Sequence, residues 1–181
     1  VVVAQEFRRD PQPLISYNGS INFPRLAYML PTPRDDHERK ALADIEAHGL
    51  HIINVLPEDG LPNFTYSVGF WRSHQHPEII IVGLKAELAQ WILNEIGRRI
   101  REDAEAFEPM ARYEGFLEGF EVQFIDVAKK HYSEHVGWAI WLNDGTDFSL
   151  LQCVWPSTDG DFPWDEGASD TFREWQPVLR A

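Results

Sequence analysis

Residues 63–84 read NFTYSVGFWRSHQHPEIIIVGL. Two apolar runs, 64–70 and 78–84, flank a short polar turn that carries Arg72, His74 and His76. The second run is nearly all β-branched, which suits a central strand covered on both faces. Just upstream, LHIINVLP (50–57) reads as a strand that Pro57 ends, and EDGLPN (58–63) is turn chemistry. Together 50–57 and 64–70 predict a β-hairpin. Two imidazoles, a guanidinium and Glu78 therefore sit where apolar strands turn, and any functional site is expected to involve them.

Working outward, ERKALADIEAHG (38–49) follows Asp35 and Asp36 and ends on Gly49. Aspartate at the N-cap and glycine just past the end are helix punctuation, with Leu42, Ile45 and Leu50 as the buried stripe. The clearest helix is 85–103, where Leu88, Trp91, Ile92, Ile96, Arg99 and Ile100 recur at helical spacing. A loop through Pro109 and Tyr113 leads to an alternating strand at 121–128. Residues 129–145 predict a helix with Tyr132, Val136, Ala139 and Leu142 on one face, and 148–156 is the last strand. The expected fold is α+β: a mixed, largely antiparallel sheet with two or three packed helices. Residues 1–34, punctuated by five prolines, read as a proline-rich N-terminal arm, and 35–181 as a single α+β domain.

Acidic residues outnumber basic ones 29 to 16, for a net charge of −13. Such a balance argues against nucleic acid, whose phosphates need a basic face, and permits a basic protein partner. Apolar runs are too short to span a bilayer, so no membrane is expected, and VVVA at the start carries no basic n-region of a secretion signal. The lone Cys153 lies in an apolar run, reads as a small core hydrophobe and fits a reducing, cytoplasmic setting.

Catalytic patterns are sparse. His131-x-x-Glu134-His135 matches the H-x-x-E-H pattern, in which two histidines hold zinc and the glutamate is the base; the alternative is a helix-surface pair of histidines. His74-x-His76 with Glu78 can converge from an extended segment, or can cap backbone groups at the start of a strand. Neither is taken as a metal site, and no cofactor is expected. No nucleophile elbow surrounds Ser67 or Ser149. Trp155, Trp164 and Trp175 stand among Asp159, Asp161, Asp165 and Glu166, a composition suited to gripping a basic partner or to completing the core.

From about Ala41 to Trp175 the chain resembles the bacterial domain-of-unknown-function family 4262. The resemblance rests on Ile45-x-x-His48-Gly49-x-His51, Phe64-x-Tyr66-Ser67-Val68-Gly69-Phe70, His76-Pro77-Glu78 with Gly83-Leu84, Gln152-x-Val154-Trp155-Pro156 and Asp159-Gly160-x-Phe162-Pro163-Trp164. His135 stands where the family leads one to expect a tyrosine. A looser similarity in layout links Ser67–Phe70, Glu78–Ile80 and Leu151–Pro156 to suppressor-of-fused-like immunity domains, and implies binding rather than catalysis. The expectation is a cytoplasmic bacterial protein-binding module of immunity type, which neutralises a toxin by direct contact. Its surface would join Tyr66, Trp71, Arg72, His74, His76 and Glu78 to Trp155 and Trp164. The alternative is a small enzyme, or a small-molecule or metal binder, with its pocket at the His74–Glu78 turn.

Overall fold

The computed structural model describes residues 30–58 and 60–180, so most of the expected arm lies outside the described residues. Helix α1 (Asp36–His48) begins where Asp35 accepts a hydrogen bond from the Glu38 amide and stops at Gly49, whose φ of 80° takes the left-handed turn expected of a glycine there. Strands β1 (His51–Val55) and β2 (Phe64–Val68) form the antiparallel hairpin read from the sequence. The run 64–70 breaks earlier than expected, because Gly69 takes a φ of 123° and opens a short helix α2 (Phe70–His74) in place of the strand's end. Strand β3 (Glu78–Val82) follows, buried at every position.

Helix α3 (Ala86–Arg98) runs on into a π-helical turn, Arg99–Asp103. Its buried face is Ala89, Ile92, Leu93, Ile96 and Gly97, which keeps Ile92 and Ile96 of the expected stripe but turns Leu88 and Trp91 outward, Trp91 being 49% exposed. Small residues explain the rotation. A Cβ on Gly97 would meet Leu50 at 3.1 Å and Phe70 at 3.3 Å, so this face lets the helix backbone approach the core where the Trp91 face cannot.

Strand β4 (Arg112–Leu117) occupies what the sequence reads as loop, and β5 (Phe120–Asp126) pairs with it across a register shift. The helix expected over 129–145 is broken. A 3-10 turn (Lys129–His131) and α4 (Tyr132–His135) end at Val136, and α5 (Gly137–Asn143) starts afresh. Tyr132, Val136, Ala139 and Leu142 are all buried nevertheless. Strand β6 (Leu150–Val154) and a short α6 (Asp170–Trp175) complete the chain.

The six strands lie in the order β1-β2-β3-β6-β5-β4. Two antiparallel meanders, β1-β2-β3 and β4-β5-β6, meet through their last strands, and β3 with β6 is the parallel pair at the centre. Both central strands are buried throughout, so each face of the sheet has its own core. Ile79, Ile81, Leu151 and Cys153 pack under α3 with Phe107 and Phe124. Ile80, Val82 and Leu150 pack with Ile45, Tyr132, Ala139 and Leu142. Cys153 is the core hydrophobe expected, and burial pushes its thiol well above the ordinary range. No helix among the described residues is long and apolar enough to cross a membrane.

Candidate functional site

The turn between β2 and β3 is where the sequence concentrates its chemistry, and the fold uses nearly all of it. Glu78 opens β3 and is fully buried. Its carboxylate accepts hydrogen bonds from Ser67 Oγ (2.6 Å), from the Gly69 amide (2.8 Å) and from the Trp71 amide (3.2 Å). Ser67 Oγ accepts in turn from the Ile79 amide at 2.9 Å, so its own proton is committed to Glu78. The first turn of α2 and the entry to β3 are thus tied to one carboxylate. Burial pushes that carboxyl up to about 7, against the hydrogen bonds that favour its ionised form.

His76 is also buried, and it clasps a different element. Its Nε2 accepts from the Phe107 amide at 3.1 Å, and its Nδ1 donates to the Pro77 carbonyl at 2.8 Å. A neutral ring carries one N–H, and the Phe107 donor leaves Nδ1 as the only nitrogen that can hold it. Burial holds its pKa below the ordinary 6.5. The ring makes edge contacts with Phe70 and Phe107. His76 and Glu78 have separate hydrogen-bond partners and are not bonded to each other.

Other residues of the turn face elsewhere. Arg72 Nε donates to Asn143 at 3.2 Å. His74 lies over Gly49, its Nε2 is buried without a hydrogen-bond partner, and burial lowers its pKa. Tyr66 is buried under α5, where its hydroxyl accepts from the Trp138 amide at 3.4 Å, and burial pushes its pKa up to about 12. His74, His76 and Glu78 form no metal-ligating group, each being held in a different local arrangement.

The expected surface is therefore divided. Trp71 packs against the core beneath α4 and α5, and lines a cleft of about 360 Å³ with Asp126, Lys129, Tyr132, Asp147 and Phe148. Trp155 packs against the opposite core and donates its indole N–H to the Val82 carbonyl at 2.9 Å. Trp164 stacks on Phe162 at 5.1 Å, over a third cluster formed by Ile125 and Val154. Its neighbours in the tail are pinned by two buried glutamines, Gln152 of the family motif and Gln176, which no motif marks. Gln152 holds the Pro177 carbonyl and the Leu179 amide, and Gln176 holds both backbone groups of Trp155.

A second concavity lies between the β1–β2 connection and α6. This groove of about 290 Å³ is lined by Pro57, Leu61, Pro62 and Trp175, with Glu58 and Glu174 among its polar groups and no basic side chain among the described residues. Leu61 is 63% exposed, Trp175 50%, and the neighbouring Leu56 77%. Sequence reading marked Trp175 only as one of several tail tryptophans. The signal that could have found the groove is the apolar content of a turn: a hairpin connection seldom needs Leu56 and Leu61 beside two prolines.

The model of a family described as Domain of unknown function (DUF4262) matches residues 44–169. No curated protein and no solved structure matches the chain.

Proposed function

We propose that this chain, which belongs to the family of unknown function matched over residues 44–169, is a cytoplasmic bacterial protein-binding module that grips a basic segment of a partner protein. The groove between the β1–β2 connection and α6 carries the reading. Large apolar side chains exposed together, rimmed by polar groups, mark interaction surfaces on soluble proteins. Tryptophan is the residue type most enriched where such surfaces bind tightly. Glu58 and Glu174 beside Leu61 and Trp175 suit a partner segment that offers an apolar anchor next to lysine or arginine. The net charge of −13 would steer such a partner toward the chain.

Binding is favoured over catalysis by what the fold does with its reactive groups. His76, Glu78 and Ser67 have their polar atoms engaged by backbone or by one another, and Cys153 is sealed in the core. A finer reading makes the chain an immunity-type protein that neutralises a toxin by direct contact. It is supported by the layout similarity of Ser67–Phe70, Glu78–Ile80 and Leu151–Pro156 to suppressor-of-fused-like immunity domains, and by the acidic groove.

The double variant Leu56→Glu/Leu61→Glu tests this. Both side chains are largely exposed, so stability should change by no more than about 0.5 kcal/mol. Pull-down from the native host should recover a basic protein with the wild-type chain, lose it with the double variant, and release it as salt screens the charges. Recovery of no protein, or equal recovery with both baits, would count against the groove.

A further inference from the structure

The sequence offers His131, Glu134 and His135 either as a zinc-protease pattern or as a surface pair of histidines, and the fold sets all three on one short helical stretch of backbone. They stand at i, i+3 and i+4 across the junction of the 3-10 turn and α4, so all three project from one side of the backbone. One ligand atom from each lies within 4.8 Å of the others. Tetrahedral zinc with bonds near 2.0–2.1 Å needs ligand atoms roughly 3.3 Å apart, a gap that small side-chain rotations close. Among the described residues this is the one group of its kind.

A second feature prepares the site. His135 Nδ1 lies 2.9 Å from the His131 carbonyl and donates to it. That bond fixes the tautomer and leaves Nε2 as an unprotonated nitrogen, the arrangement that metal-binding histidines show in their outer contacts. The His135 ring is further held by Phe64 at 5.1 Å, and the two imidazoles stand edge to face at 6.0 Å. Glu134 is exposed and His131 and His135 half-buried, so an ion can enter from solvent.

We propose that His131, Glu134 and His135 bind one divalent transition-metal ion, zinc being the best match, with water in the fourth position. Two imidazoles and a carboxylate are donors of the right softness for zinc and poor ones for magnesium or calcium, which take oxygen ligands. Glu134 is here a ligand, so the base of the protease pattern is absent.

Calorimetric titration of tag-free protein with zinc chloride tests the site. One ion per chain should bind with micromolar affinity, and excess magnesium should not displace it. His131→Ala and His135→Ala should each weaken binding at least about tenfold, and Glu134→Gln should weaken it less. Zinc should also raise the unfolding midpoint of the wild type and not that of His131→Ala/His135→Ala, whose metal-free midpoint should stay near wild type. Absence of saturable binding, or equal affinity in the double variant, would overturn the proposal.

Discussion

Glu78→Ala is expected to destabilise the chain by about 3–5 kcal/mol, the largest effect of any single substitution in the turn. The alanine leaves the buried Gly69 amide and the part-buried Trp71 amide without an acceptor, and a fully buried orphan costs about 1–3 kcal/mol. Ser67 can rotate its hydroxyl, but the cavity adds to the loss. Glu78→Gln keeps the shape and one acceptor oxygen, so it should cost less. The pair also isolates the titration. The Glu78 carboxyl is raised from an ordinary 4.5 to about 7 in the folded chain. A raised folded pKa gives a stabilising contribution that is full below the unfolded value and is lost as pH rises through about 7. Glutamine has no such loss. The wild-type lead over Glu78→Gln should therefore shrink as pH rises across this window, as read by urea midpoints. A lead that grows with pH would contradict the burial-dominated account.

Gly83→Ala should cost about 3 kcal/mol and lower the thermal midpoint by roughly 6–12 °C. Gly83 ends β3 with a φ of 75°, a conformation that strains an alanine. Its Cβ would fall inside contact distance of the Trp175 carbonyl oxygen and 2.8 Å from Trp175 Cδ1. A backbone carbonyl cannot swing away as a flexible side chain can. Trp175 also donates its indole N–H to the Gly83 carbonyl, so α6 would have to move off the sheet and the groove would open with it. Gly119→Ala separates the two causes. Gly119 has a φ of 78° but nothing within 4 Å of an added Cβ, so it should show the backbone strain alone, about 1 kcal/mol. Equal losses at both glycines would mean that Trp175 does not lock β3.

The strands nearest the quoted stretch were legible because their signals are local. Ile79–Val82 is buried on both faces as a β-branched run predicts, and Asp35 and Gly49 punctuate α1 as their chemistry requires. Strand β4 was not legible, because Glu114 and Gly115 interrupt its alternation and it sits at the sheet edge, half exposed. The break at Val136 was hidden for the opposite reason: Tyr132, Val136, Ala139 and Leu142 keep a helical spacing across it. The site divides in the same way. The turn could be located from sequence, but the partners of His76 and Glu78 could not. Phe107 lies 31 residues beyond His76, and Ser67 lies on the neighbouring strand, so tertiary pairing alone decides what these groups do. Trp71 and Trp155 carry no sequence mark of the sheet face they join, and the sheet separates them.

If the polar turn holds the fold and is not a proton-exchanging pocket, the His76 ring keeps one tautomer and resists protonation. A folded pKa below the ordinary 6.5 gives stability that is full above 6.5 and is lost as pH falls through the folded value. Long-range proton–nitrogen NMR of the imidazoles, followed from neutral to acid pH, reads both tautomer and titration. His76 is expected to carry its proton on Nδ1 and to be less than half protonated at pH 6.5, where an ordinary imidazole is half protonated. A proton on Nε2, or titration at or above 6.5, would contradict it and return the site to the turn.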